Sequence, residues 1–164
     1  MELRLATISD AEAIRQIYNL EVLESTATFD LVPRTLEAQQ AYLEARSGAH
    51  AVLVAEDAGQ VCGFGSLSPW RDRPAYSTSV EDSVYIHRDH QGKGVGRLIL
   101  EELLATATRH GFHAVMARIV GGHEASIALH ARCGFEVVGT EREIGRKFGR
   151  WLDVVLMERL LVAG

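Results

Sequence analysis

One segment limits the fold more than any other: a strand-like run, Thr78 to His87, meets a glycine-spaced turn, Gln91-Gly92-Lys93-Gly94-Val95-Gly96, and then an amphipathic helix. Leu100, Leu103, Leu104 and Ala107 fall at i, i+3, i+4 and i+7, one helical face, and the helix ends before Gly111. Ala114 to Val120 follows as a strand, so the middle of the chain reads as a β-α-β crossover. Alternate glycines let successive backbone N–H groups converge, and the helix adds the partial positive charge of its amino terminus. The turn therefore predicts a cradle for a phosphate or pyrophosphate. Arg88, Lys93 and Arg97 against Asp89 give it a local charge of +2. Two other glycine loops are excluded. A Walker A loop needs Gly-Lys-Ser/Thr, but Lys93 precedes Gly94, and a G-x-G-x-x-G run from Gly92 needs glycine where Arg97 stands.

Around this centre the pattern reads β α α β β β α β α β β. Glu2 to Ala6 is a short strand, and Ser9-x-x-Glu12 is a capping-box signature before Ile14, Ile17 and Tyr18 on one helical face. Pro33-Arg34-Thr35 opens a second helix, roughly Leu36 to Arg46. Ala51 to Ala55 and Val61 to Gly65 flank Asp57-Ala58-Gly59-Gln60, a hairpin. After a loop from Pro69 to Tyr76 and the crossover come a helix, Glu124 to Arg132, stopped by Gly134, and two strands, Phe135 to Gly139 and Leu152 to Glu158. Meander strands first and crossovers later predict a mixed α/β sheet with helices on both faces. No linker, repeat or low-complexity tract divides the chain, so one domain spanning 1–164 is expected.

Charge and composition remove several functions. A formal net charge of −5 counts against a general nucleic-acid binder, whose affinity comes from neutralised phosphates. It does not exclude a local anion site, because residues 1 to 60 hold 4 Arg against 10 acids and the remainder is close to balanced. No stretch approaches the ~18 to 20 apolar residues of a membrane span, and Met1-Glu2-Leu3-Arg4 lacks the layout of a secretory signal, so a cytoplasmic protein is expected. Cys62 and Cys133 lack metal-ligand spacing and read as buried thiols.

With these residues in view, the sequence resembles the GNAT superfamily of acyl-CoA-dependent N-acetyltransferases, whose Q/R-x-x-G-x-G/A turn is matched by Gln91 to Gly96. It is most similar to the branch that acetylates phosphinothricin, methionine sulfoximine and methionine sulfone. Further matching blocks are Ile17-Tyr18-Asn19, Thr26 to Phe29, Val80 to Ile86, Ser126 to His130 with Gly134-Phe135, and Lys147 to Asp153. The resemblance implies a mostly antiparallel central sheet splayed in the middle, acetyl-CoA as co-substrate, no metal, a small amino-acid-like substrate and a homodimer. It also implies direct attack of the substrate's α-amine on the thioester.

An α-amine is largely protonated at neutral pH, so a base must take a proton directly or through water. Glu81, on the strand entering the turn, matches the branch's glutamate base. Strand alternation sends Asp82 to the face of Val80, Val84 and Ile86, and leaves Glu81 with Ser83 and Tyr85 on the side read as the cleft. By resemblance, backbone amides of Val84, Tyr85 and Ile86 pair with pantetheine, Gln91, Gly92, Lys93, Gly94, Val95, Gly96, Arg97 and Arg132 hold the cofactor, and His130 is the acid for the leaving thiolate. His123 stands where the family has an asparagine on the cofactor. The loop Trp70 to Tyr76 looks like the branch's substrate loop. Arg71 or Arg73 would clamp a carboxylate, Asp72, Tyr76, Asp82 and Ser83 lie nearby, and Phe29 and Trp151 line the side-chain pocket. Two alternatives stand beside this reading: acetylation of another small amine or a protein N-terminus, and an acyl-CoA-binding sensor without turnover.

Overall fold

The structure is a computed structural model that describes residues 1–162; the last two residues of the expected domain lie outside the described range. Its regular elements are β1 (Glu2–Leu5), α1 (Ala11–Glu24), α2 (Leu36–Glu44), β2 (Leu53–Asp57), β3 (Gln60–Pro69), β4 (Ser79–Ile86), α3 (Val95–Arg109), β5 (Ala114–Val120), α4 (Glu124–Arg132), β6 (Glu136–Lys147) and β7 (Arg150–Leu160). Their order is the expected one. The strands form a 7-stranded sheet, β1-β2-β3-β4-β5-β7-β6, in which only β4 and β5 run parallel.

Each face of the sheet has its own core. Ile99, Leu100, Leu103, Leu104 and Ala107 of α3 pack on Leu67, Val80, Val115 and Ala117. Ile14, Ile17, Tyr18 and Val22 of α1 cover Val54 and Phe64 on the other face. Each fully buried aliphatic side chain contributes about 1.5–3 kcal/mol against exposure, so these stripes fix which way the strands face. The glycines of β3 bring α3 close. A Cβ on Gly65 would stand 2.6 Å from Ile99 Cγ2 and 2.9 Å from the Ser83 carbonyl oxygen. Both cysteines are free and buried, as expected.

Three local expectations are corrected. The capping interaction lies two residues earlier than Ser9 and Glu12: the Asp10 carboxylate accepts from the Thr7 N–H at 2.7 Å, while Arg4 holds that carboxylate at 2.8 Å and its pKa below the ordinary range. A salt-bridged Asp is available there and Ser9 turns instead to the Thr7 hydroxyl. The second helix ends at Glu44, not Arg46, because Arg46 reaches the carbonyls of His50 and Leu67. The last two strands are far longer than Phe135 to Gly139 and Leu152 to Glu158. They pair from Glu136↔Glu158 to Lys147↔Arg150, with irregularities at Val137/Gly139 and Glu141/Gly145 that break the alternation from which a strand is read.

Candidate active site

The sheet opens between β4 and β5. They pair at only three positions, Ser79↔Ala114, Val80↔Val115 and Glu81↔Met116. Beyond Glu81, β4 continues against β3, and β5 continues against β7. The facing backbone edges of Asp82–Ile86 and Ala117–Val120 therefore lack strand partners. Backbone polar groups demand partners, so the gap suits an extended ligand with amides of its own. A cavity of about 560 Å³ occupies it, walled by both edges, by Gln91, Gly92, Gly94, Val95, Gly96 and Arg97, and by α4.

At the cavity's mouth Gly92 and Gly94 have φ of +72° and +84°, which L side chains rarely adopt, and Gly94 caps α3. Gly96 does a different job: a Cβ there would meet Leu129 Cδ2 at 3.0 Å, so this glycine lets α3 lie against α4. The expected local charge of +2 is corrected. Arg88 is paired with Glu21 at 3.2 Å and Glu24 at 2.7 Å, and Arg97 with Glu101 at 2.7 Å. Among the described residues Lys93 is the turn's cation without an acidic partner, and its side chain stands outside the cavity wall. Two left-handed glycines, a helix amino terminus, one lysine and an unpaired strand edge fit a pyrophosphate with an amide-bearing tail.

Glu81 sits at the apex, on the last pair before the split. It is half-buried, and burial raises its pKa above the usual carboxylate range, helped by Asp82 and opposed by the cations Arg118 and Arg71. Ser83 shares its face. The Tyr85 ring does not join them in the cleft: it stacks on Phe64 at 5.4 Å and meets Tyr18 edge-on at 5.2 Å, inside the second core. Burial pushes its hydroxyl pKa above normal, and Val84 and Ile86 pack against the first core.

Asp82 lies on the face of Val80, as alternation predicts, and is buried there with a specific partner. Its Oδ2 is 2.9 Å from His130 Nε2, with the two side chains 2% and 5% exposed. His130 Nδ1 lies 2.7 Å from the Ser126 carbonyl, which can only accept, so Nδ1 carries a hydrogen. A hydrogen bond to Asp82 then needs a second ring proton. Burial disfavours the imidazolium, yet the Asp82 hydrogen bond and charge outweigh it and raise the His130 pKa above its ordinary value. Asp82 Oδ1 is buried without a partner among the described residues. Both residues line the cavity.

His123 and Arg132 also line the cavity. His123 Nε2 is 2.8 Å from Thr26 Oγ1, which joins the loop after α1 to the start of α4. Of the residues expected on the substrate side, Asp82 and Ser83 line the cavity, whereas Phe29, Arg71, Asp72, Arg73, Tyr76 and Trp151 lie apart from its wall. Arg71 stacks over the Trp70 ring at 4.8 Å, Arg73 caps a short turn from Pro74 to Tyr76, and Asp72 and Tyr76 are exposed. Phe29 packs where a Cβ on Gly145 would stand, 2.3 Å from its ring, and Trp151 is exposed beneath Arg146. The sequence reading missed Arg118, which lines the cavity from β5, and the Ser126 carbonyl. Register exposes Arg118: Glu81 pairs with Met116, and Arg118 is the next residue on that face.

A protein that moves an acyl group from a long phosphate-bearing carrier to an amine needs a cleft that pairs with the carrier's backbone and a base at its closed end. The class is that of the acyltransferases. Residues 3–156 match the acetyltransferase (GNAT) domain, and the chain belongs to that family. It is 40% identical over 158 residues, 95% of this chain and 92% of the other, to the L-methionine sulfoximine/L-methionine sulfone acetyltransferase of Pseudomonas paraeruginosa. It is 39% identical to the phosphinothricin N-acetyltransferase of Streptomyces coelicolor, over 98% of this chain and 96% of the other. Among solved structures, yncA of Salmonella typhimurium, a putative acetyltransferase with its cofactor acetyl-CoA, superposes with a TM-score of 0.95 at 40% identity, covering 99% of this chain and 94% of that one. Among the described residues no helix is long and apolar enough to cross a membrane.

Proposed function

We propose that the chain, as one unit over 1–164, acetylates the α-amine of a small amino acid or analogue of the methionine sulfoximine, methionine sulfone or phosphinothricin kind. The observation that carries this is the β4/β5 split with Glu81 at its closed end. Acetyl-CoA, when bound, supplies the activated acetyl thioester; its pyrophosphate belongs at Gly92 and Gly94, and its amide tail along Val84–Ile86. Glu81 takes the proton that frees the amine, directly or through water, and its raised pKa makes it a better base. A backbone N–H on the open edge of β4 steadies the negative charge that grows on the acetyl oxygen. His130, kept protonated by Asp82, is the proton store for the departing sulfur. Its Nε2 hydrogen leaves Asp82 only when a stronger base arrives. Arg71 or Arg73 orients the substrate carboxylate, and Phe29 and Trp151 flank the side chain.

The same reading carries a cytoplasmic homodimer, supported by the exposed Val137, Val138, Ile144, Phe148 and Trp151 on the β6/β7 hairpin. Thiol release measured against amino acids, sulfoximines, phosphinothricin, polyamines and peptides tests the function. Turnover is expected on free amino acids and analogues; turnover on polyamines or peptides alone overturns it. Glu81→Gln should lower kcat by about 10²–10⁴-fold while acetyl-CoA binding survives. Wild-type kcat should rise with pH through the raised Glu81 pKa, and a flat profile from mildly acid to mildly alkaline pH removes Glu81 from the base role.

A further inference from the structure

Arg118 is the one exposed residue of β5. It projects from β5 on the face that carries Glu81, one same-face position past Met116, which places it roughly 7 Å further along the strand. At that point β4 has already left β5, so Arg118 borders the cavity and not a neighbouring strand of that side. Its guanidinium is held from outside by Glu141 of β6, with Nη2 2.9 Å from Oε1. That bond uses one of its hydrogen-bonding edges. Nε and Nη1 have no protein partner among the described residues.

An α-amino acid whose amine lies at Glu81 has a single α-carboxylate to offer, and one bidentate guanidinium satisfies it. Arg71 or Arg73 takes that carboxylate in the reading above, so the two donor groups that Glu141 leaves free on Arg118, beside the cavity, are available to a second anion. We infer that Arg118 is a specificity-determining residue that pairs with an anionic group at the end of the substrate's side chain, and that the site selects acidic amino acids or analogues over neutral ones of similar length. This rests on the amino-acid N-acetyltransferase reading above and refines it. A phosphinate, as in phosphinothricin, lies a few bonds from the amine and carries the required charge; a sulfone of the same reach does not. Glu141 orients the guanidinium and disfavours its swinging away when the site is empty.

The test compares kcat/KM for phosphinothricin and L-methionine sulfone in the wild type, Arg118→Ala, Arg118→Lys and Arg71→Ala. Removing the Arg118 charge also releases Glu81 to a higher pKa, which alters both rates alike, so the ratio is read on the alkaline plateau. The wild type should favour phosphinothricin. Arg118→Ala should lower the phosphinothricin-to-sulfone ratio roughly ten-fold or more, mainly through KM for phosphinothricin, and Arg118→Lys should restore part of it. Arg71→Ala should depress both substrates and leave the ratio in place. A wild type that favours the sulfone, or a ratio in Arg118→Ala within about two-fold of wild type, against the roughly ten-fold expected of a charged hydrogen bond, overturns the inference while the acetyltransferase reading stands. Absence of thiol release from the wild type with every amino acid tried overturns both.

Discussion

Asp82→Asn probes the buried pair most directly, because its effect on stability changes with pH in a direction the geometry dictates. In the wild type Nδ1–H is committed to Ser126 and Nε2 faces Asp82 at 2.9 Å, so the pair is held by a second ring proton. A histidine whose folded pKa is raised contributes stability that is full below its unfolded value, about 6.5, and is lost as pH rises through the folded pKa. In Asp82→Asn the ring stays buried and loses the carboxylate that opposed burial, so its pKa falls below the ordinary value. The asparagine amide can still donate to a neutral Nε2, which keeps the packing. Below about pH 6.5 the unfolded variant then binds a proton that the folded variant refuses. The protons of the two unfolded states cancel in the difference, so the gap between wild type and variant should widen by about 1.4 kcal/mol for each unit of falling pH wherever the folded wild-type ring is protonated and the folded variant ring is not, pH 6.5 to 5.5 included. For a chain of 164 residues each kcal/mol is roughly 2–4 °C in Tm. Urea unfolding at pH 5.5, 6.5 and 8.5 reads it, since other acids titrate alike in both proteins. A gap that stays constant, or that widens towards alkaline pH, would refute the charged pair.

Two further outcomes follow from contacts already described. Lys93→Ala should raise KM for acetyl-CoA by about 3- to 10-fold and leave kcat near wild type, since among the described residues the lysine is the turn's cation without an acidic partner; initial-rate kinetics check it. Gly65→Ala puts a methyl 2.6 Å from Ile99 Cγ2 and 2.9 Å from a β4 carbonyl, and should cost about 1–3 kcal/mol in denaturant unfolding. Stability equal to wild type would mean that α3 can retreat from β3 freely.

What the sequence discloses about this fold divides by range. The hairpin at Asp57–Gln60 is legible because Ala58 and Gly59, at φ +50° and +79°, form its turn alone. Strand β5 and helix α4 match the reading residue for residue, since Gly122 and Gly134 punctuate them locally. Strand β6 is illegible beyond Gly139 because it is an edge strand, largely exposed, whose two irregularities put consecutive residues out of phase. In the site, the glycine turn and the face of Glu81 follow from spacing within a few residues. The Asp82–His130 bond spans 48 positions and Arg118 depends on the β4/β5 register, and neither is encoded in any local pattern.

The turn's charge makes the same point with a functional consequence. Summing nearby residues gives +2, yet Arg88 is matched by Glu21 and Glu24, which lie 67 and 64 positions away on α1. Those acids belong to the amino-terminal segment that holds most of the chain's negative excess, so part of that excess is folded against the mouth of the cleft. Had the arginines been free, an anion there would be held chiefly by charge and released by salt. With Arg88 and Arg97 paired, the holding force passes to backbone N–H groups fixed by Gly92, Gly94 and the start of α3, which are directional and scarcely screened at contact. If the pyrophosphate sits at this turn, as proposed above, the geometry selects its shape more than the presence of an anion, and Lys93→Ala should then leave the salt dependence of acetyl-CoA binding shallow.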